Sequence, residues 1–318
     1  MRNPFGRVVR RLANRASTPP AGEVSYAEKI RLREPLYSRP IHYGADGNDV
    51  VRHQLESRGP LMVARLGATE LRCIRFFQQN RAANAPYPAI VQGSMSTYSG
   101  FFPAHDRELD RFSETFLAHV ESVDVMGVWF NPGEDVVCNS RCPRATLVEF
   151  GSLEPFRHPA PWSGALRGRT VLVVHPFADS ITRQYRDRRR LLFENPDVLP
   201  DFELKTVKAV QPGIDAKGFA TWFDACEHMC HQIDRAEFDV AIIGAGAYGL
   251  PLASFVKGRG KQAIHLGGVT QILFGIKGRR WETLHADTTA RLFNEHWIRP
   301  SAAERPDGYQ KVEGGAYW

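Results

Sequence analysis

The chain has 318 residues, 43% of them hydrophobic and 24% charged, with a formal net charge of +6. That is enough to bury one large core or two smaller ones, and no apolar run approaches the roughly 20 residues needed to cross a bilayer. The positive excess is local: Arg2, Arg7, Arg10, Arg11 and Arg15 all precede the first acidic residue, Glu23, and the rest is close to neutral, which argues against nucleic acid as a partner.

In chain order, the first predicted element is the tail itself. Phe5, Val8, Val9 and Leu12 fall at i, i+3, i+4 and i+7, with most of the arginines opposite. This is the pattern of a short basic amphipathic helix, suited to an anionic membrane surface or to an organelle transit segment. The plainer alternative is a basic N-terminus without a role. Residues 1–25, closing on "STPPAG", form this tail and a linker. From about residue 26 the chain alternates between strand-like and helix-like segments. Strands are expected at 61–67 (LMVARLG), 123–130 (VDVMGVWF), 170–177 (TVLVVHPF), 203–210 (ELKTVKAV), 239–246 (DVAIIGAG) and 262–268 (QAIHLGG). Helices are expected from near Thr69 and over 106–120, 180–193, 216–235 and 248–256. Continuous apolar strands alternating with helices predict an α/β, Rossmann-like domain over 26–298, with a mostly parallel sheet covered on both faces. The last residues, 299–318, are rich in turn formers and are expected to pack over that domain.

The five cysteines, Cys73, Cys138, Cys142, Cys226 and Cys230, make an odd set, which suits a reducing, cytoplasmic setting. "CEHMCH" invites a zinc reading, but Phe219, Trp222, Phe223, Cys226, Cys230 and Ile233 share one helical face, which assigns both thiols to a core stripe.

In such sheets ligands sit beyond the C-terminal ends of the strands. There the sequence collects "GATE", "NPGED", "HPFADS", "GAGAYG" and "GGVTQ". Gly244, Gly246 and Gly249 have the G-x-G-x-x-G spacing of a dinucleotide loop, which presents backbone N–H groups to a phosphate. The acid that holds the ribose of NAD should end the next strand, but His265, Leu266 and Gly267 stand there. That argues against NAD and leaves a nucleotide-sugar diphosphate, another phosphate, or glycines that only let helix and strand pack.

The segments "LMVARLGATEL", "GRTVLVVHPFADSITRQY", "FDVAIIGAGAYGLPLASFVKGRGKQAIHLGGVTQILFGIKGRRW" and "KVEGGAYW" together resemble a bacterial group similar to the GT-D fold glycosyltransferases, often associated with surface-polysaccharide genes. The resemblance spans about 61–318. It implies a nucleotide-diphosphate sugar as donor and a cell-surface glycan or lipid-linked acceptor; a tail resting on anionic lipid would place the chain peripherally at the inner membrane face. In that family an R-F-G-D-G-E turn supplies an acidic pair at the donor site. Here the turn is R-L-G-A-T-E: Arg65, Gly67 and Glu70 match, and Ala68 replaces the Asp. One carboxylate is a poor divalent-metal site unless phosphate oxygens and waters complete the shell.

The individual residues carry competing expectations. Glu70 faces the sugar, holds a metal, acts as a base, or only sits at a helix start where the macrodipole favours it. Arg65 pairs with diphosphate or with Glu70. His175 and His265 end strands, as site groups or as core residues. Asp179 and Ser180 are placed to cap the following helix. Arg186 to Arg190 form a solvated face or touch an acceptor phosphate. Lys277, Arg279 and Arg280 follow the last strand, where they neutralise a leaving diphosphate or form a basic surface loop. The preferred function is glycosyl transfer. Another nucleotide-dependent enzyme (an oxidoreductase or methyltransferase) and a non-catalytic partner in polysaccharide assembly are the alternatives.

Overall fold

The computed structural model describes residues 25–211, 218–283, 289, 291–305, 308–311 and 314–318. The N-terminal amphipathic stripe lies outside the described residues. Eight strands form one sheet: β1 (Ile41–His42), β2 (Leu61–Arg65), β3 (Val125–Val128), β4 (Thr146–Glu149), β5 (Thr170–His175), β6 (Glu203–Lys208), β7 (Val240–Ile243) and β8 (Gln262–His265). Their order is β1-β4-β3-β2-β8-β7-β5-β6, and every pairing is parallel. The fold is thus α/β and Rossmann-like. The central strands are apolar throughout because both faces are covered. Met62, Ala64, Leu172, Val174, Ala241 and Ile243 point into one core cluster. Their neighbours Leu61, Val63, Val171, Val173, Val240 and Ile242 point into the other. This is the period-two alternation of a strand buried on two sides.

All six expected strands are present, each shorter than expected. Two more, β1 and β4, extend the sheet beyond β3. The helices Ala68–Asn80, Asp106–Val120, Ala178–Leu192, Trp222–Asp234 and Gly249–Gly258 match the expected ones, the fourth starting later than expected. On Trp222–Asp234 the fully buried stripe is Trp222, Ala225, Met229 and Ile233, and Cys226 and Cys230 are half-buried at its margin. The stripe is therefore rotated slightly from the expected face.

The helix Ala178–Leu192 starts two residues earlier than expected. Its N-cap is Phe177, which gives no side-chain bond. Glu304 supplies the cap instead, its Oε1 accepting from the N–H groups of Asp179 (2.9 Å) and Ser180 (3.0 Å). A carboxylate there satisfies orphan donors and suits the positive end of the helix. The C-terminal residues also pack directly on the sheet end. The Trp318 ring meets Phe177 edge-on with centroids 5.6 Å apart, and its Nε1 donates to the Glu304 carbonyl at 3.0 Å.

β5 continues outward to β6, whereas β7 continues inward to β8. The connections after β5 and β7 therefore diverge, and the crevice beyond their C-terminal ends is where such sheets bind ligands.

Candidate functional site

Two turns come together at the C-terminal edge, one after β2 and one after β8, because those strands are paired. Arg65 ends β2 and joins them. A Cβ on Gly67 would overlap the Glu70 carboxylate and lie 3.2 Å from an Arg65 guanidinium nitrogen. A Cβ on Gly267 would overlap the same guanidinium, and Gly267 has φ +62. Both glycines thus leave room for one cation. Glu70 lies in the first turn of the helix Ala68–Asn80 and is 8% exposed, while Ala68 is exposed.

The loop after β3 adds a floor. The Arg65 guanidinium carbon lies 5.8 Å from the Trp129 ring centroid, and Trp129 stacks on Phe150 at 3.7 Å. Glu134 holds this loop. Its Oε2 accepts from the N–H of Trp129 (2.9 Å), the N–H of Asn131 (3.2 Å) and the hydroxyl of Tyr37 (3.0 Å). Between them Phe130 takes φ +61, a conformation that a bulky residue keeps only when its surroundings impose it. Burial pushes the Glu134 carboxyl up to about 7, although these donors favour its charged form.

The glycine loop after β7 divides into three parts. A Cβ on Gly244 would lie 2.7 Å from His175 Cδ2, 2.7 Å from Thr270 Oγ1 and 2.8 Å from the Gly267 carbonyl. A Cβ on Gly249 would overlap the His265 ring. These two glycines serve packing between strand ends and helix. Gly246 differs: it is exposed, has φ +54, and a Cβ there would meet only the Ser99 carbonyl, at 3.9 Å. The chain turns from Gly246 through a short 3-10 segment into the helix Gly249–Gly258. The N–H of Tyr248 already bonds to Ala245, so those of Ala245, Gly246 and Ala247 stand before the first helical bond, as at any helix start.

Both histidines are buried, His175 at 5% exposed and His265 at 3%. His175 Nδ1 accepts from the Phe177 N–H at 3.0 Å. Burial pushes its pKa down to about 3, so the ring is neutral and Nε2 carries the proton. Burial, and then the charge of Arg65, also push the His265 pKa down. Neither nitrogen of His265 has a hydrogen-bond partner among the described residues, and neither does Thr270 Oγ1 beside Gly244.

The structure therefore brings together Arg65, Gly67, Glu70, His175, Gly244, Gly246, Gly249, His265 and Gly267. The basic residues after β8 make contacts outside those two turns. Lys277 Nζ lies 5.9 Å from the Phe293 ring centroid, Arg279 Nη2 donates to the Gly314 carbonyl at 2.7 Å, and Arg280 Nη1 donates to the Tyr317 hydroxyl at 3.1 Å. The two arginines hold the C-terminal residues, with Trp281 and Tyr317 beside Gly268. Arg186 to Arg190 lie along the helix Ala178–Leu192, where Arg186 pairs with Asp187 and Arg189 with Asp201. Sequence reasoning missed Trp129, Glu134 and Thr270. The "NPGED" turn was a visible signal for Glu134, but its bond to Tyr37 depends on how the chain folds.

The donor set does not fit a two-carboxylate divalent-metal site. Ala68 brings no ligand, and among the described residues no group of three or more His, Cys, Asp or Glu side chains is gathered to hold an ion. Among the described residues, too, no helix is long and apolar enough to cross a membrane.

No protein-family profile matches the sequence, and no curated protein does either. Two solved structures of one domain, domain of unknown function 1792, are similar to this chain, one of them a selenomethionine form. Each is 12% identical, covers 89% of this chain and 98% of its own, and superposes with a TM-score of 0.45. That domain is described as having a distinct glycosyltransferase fold.

Proposed function

We propose that this chain is a glycosyltransferase that passes a sugar from a nucleotide-diphosphate donor to a cell-surface polysaccharide or lipid-linked acceptor. Residues 26–298 form its catalytic domain, with 299–318 as an extension and 1–25 as a tail for the anionic inner membrane face. The observation that carries this is the seat of Arg65 between Gly67 and Gly267, beside the Glu70 carboxylate and close to the crevice at β5 and β7. A cation and a carboxylate side by side suit a diphosphate and its sugar. The R-L-G-A-T-E resemblance supports the same assignment.

In this mechanism the reaction breaks the bond between the anomeric carbon and the diphosphate oxygen, forms one from that carbon to an acceptor hydroxyl oxygen, and releases the hydroxyl proton to solvent. Charge grows on the leaving diphosphate. Arg65 meets that charge, and the N–H groups before the helix Gly249–Gly258 add to it across the exposed turn at Gly246. Glu70 orients the sugar. His175, kept neutral, offers an N–H from Nε2 as a hydrogen-bond donor. His265 and Gly267 shape the ribose side. Arg280 also fixes the C-terminal Tyr317, and Lys277 or Arg280 would add a cation for the diphosphate. No step is assigned to a metal, because Ala68 leaves Glu70 without the second carboxylate of an acidic pair.

The test is calorimetric titration of nucleotide diphosphates with EDTA and with Mn²⁺, for the wild type and for Glu70→Gln. Binding is expected to survive chelation, and Glu70→Gln is expected to lower turnover more than binding. A strict Mn²⁺ requirement that disappears in Glu70→Gln would make Glu70 a metal ligand and overturn this assignment. The lone carboxylate also favours a second reading, a non-catalytic donor-binding partner in polysaccharide assembly. Donor binding without any sugar transfer or donor hydrolysis would select it.

A further inference from the structure

One surface stripe beside this site has no role in the chemistry above. In the helix Ala89–Thr97, Ser94 Oγ donates to the Ile90 carbonyl at 2.6 Å, and the Tyr98 N–H donates to the Ser94 carbonyl at 2.8 Å. Ile90, Ser94 and Tyr98 therefore follow one another at i, i+4 and i+8 along the helix, with Ser94 itself buried at 4% exposed. Ile90 is 68% exposed and Tyr98 52%. Single exposed apolar residues are ordinary, but here a cation lies between the two. Arg72 Nη1 donates to Ser94 Oγ at 3.4 Å, and Arg72 is exposed, with no acidic partner among the described residues.

The position of this stripe matters as much as its composition. Arg72 stands one helical turn after Ala68, so the stripe reaches the turn that follows β2. Ser99 follows Tyr98, and its carbonyl lies 3.9 Å from where a Cβ on Gly246 would be. The stripe therefore runs, at Tyr98, into a residue beside Gly246, and its Arg72 stands on the helix that begins at Ala68.

We propose that Tyr98, Arg72 and Ile90 form the docking surface for an anionic glycan acceptor. This rests on the transferase reading. The flat face of Tyr98 covers the C–H face of a sugar ring, and Ile90 extends that apolar contact. The Arg72 guanidinium meets a carboxylate or phosphate on the glycan, for which its planar fork is suited. An acceptor held there lies along the exposed edge at Ala68 and Gly246, on the open side of the bound donor.

The experiment measures binding of a hyaluronan tetrasaccharide (anionic) and cellotetraose (neutral) by saturation-transfer NMR to the full chain, Tyr98→Ala and Arg72→Ala. Calorimetry with UDP, GDP and dTDP runs in parallel. The wild type is expected to prefer the anionic sugar. Arg72→Ala should erase that preference, and Tyr98→Ala should weaken both sugars by about tenfold, which corresponds to 1.4 kcal/mol. Nucleotide-diphosphate affinity should stay unchanged in both variants. If the wild type binds neither tetrasaccharide, or the variants bind them as the wild type does, the docking surface is refuted. If the sugars respond as expected but no nucleotide diphosphate binds, the donor assignment falls and the glycan surface stands.

Discussion

Replacing Gly244 by alanine tests the geometry of the switch point directly. The new Cβ would lie 2.7 Å from His175 Cδ2, 2.7 Å from Thr270 Oγ1 and 2.8 Å from the Gly267 carbonyl oxygen. All three contacts are shorter than ordinary van der Waals separation, and one neighbour is backbone. His175 is fixed by its bond to the Phe177 N–H and cannot swing away cheaply. Overpacking of this kind costs about 1–3 kcal/mol. The lost freedom of the unfolded chain returns about 0.4–1 kcal/mol, so the net loss should be about 1–2 kcal/mol. Thr270 provides an internal control. Its Oγ1 is buried without a partner among the described residues, so Thr270→Ala removes one wall without breaking a hydrogen bond. In a double-mutant cycle Thr270→Ala should recover part of the loss, with a coupling of about 0.5–1 kcal/mol. Urea unfolding followed by circular dichroism measures all four proteins. A Gly244→Ala protein as stable as the wild type would refute the packing role. If that protein also lost nucleotide-diphosphate affinity, the glycine would be there for a ligand.

The exposed Gly246 should behave differently, because its φ of +54 and not its surroundings demands glycine. Gly246→Ala should cost about 1–2 kcal/mol, Gly246→Asn less, and Gly246→Val should also weaken nucleotide-diphosphate binding in calorimetry; unchanged affinity in a folded valine variant would remove the loop from the phosphate site. The pH dependence of stability carries two opposite contributions. Glu134, raised from 4.5 to about 7 by burial, stabilises fully below pH 4.5 and loses that contribution as the pH rises to 7. His175, lowered from 6.5 to about 3, stabilises fully above pH 6.5 and loses that contribution as the pH falls to 3. Glu134→Gln should therefore steepen the rise of stability between about pH 5 and pH 7 in urea titrations, and an unchanged profile would refute its raised pKa. Deleting residues 1–17 should abolish salt-sensitive sedimentation with anionic vesicles, which five arginines favour by about 1 kcal/mol each near the surface; undiminished binding would dismiss the tail as an anchor.

Five of the six expected strands were legible because each is an apolar run bounded by turn formers, the signature of a strand covered on both faces, whereas β6, at the sheet edge, is mostly polar. β1 and β4 were not legible. β1 pairs through two residues only, and β4 offers Leu147 and Val148 between a half-buried Thr146 and Glu149. A signal that short is common in loops. It becomes a strand because the edge of β3 is there to receive it. Among site residues, those on the two glycine turns could be marked from spacing. Trp129, Glu134 and Glu304 could not. Trp129 reaches Arg65 only because β3 pairs with β2. Glu304 reaches its helix start across 125 residues of sequence. Such contacts follow from strand order and chain closure, and no local pattern encodes either.

The glycine loop shows how far a spacing can mislead about its own purpose. G-x-G-x-x-G is read as a phosphate loop because the backbone must approach an anion and the helix must approach the strand. In this chain those two demands fall on different glycines. Gly244 and Gly249 are crowded by His175, Thr270 and His265, and would be needed with no ligand at all. Only Gly246, exposed at the turn, is left with the conformation and the open space that a ligand could use. The cation of the site comes from the other side of the sheet centre, from Arg65 after β2, which Gly67 and Gly267 admit. The loop by itself therefore assigns no nucleotide. What makes the edge a candidate donor site is the pairing of β2 with β8, which sets that guanidinium and the Glu70 carboxylate next to the strand ends from which the loop departs.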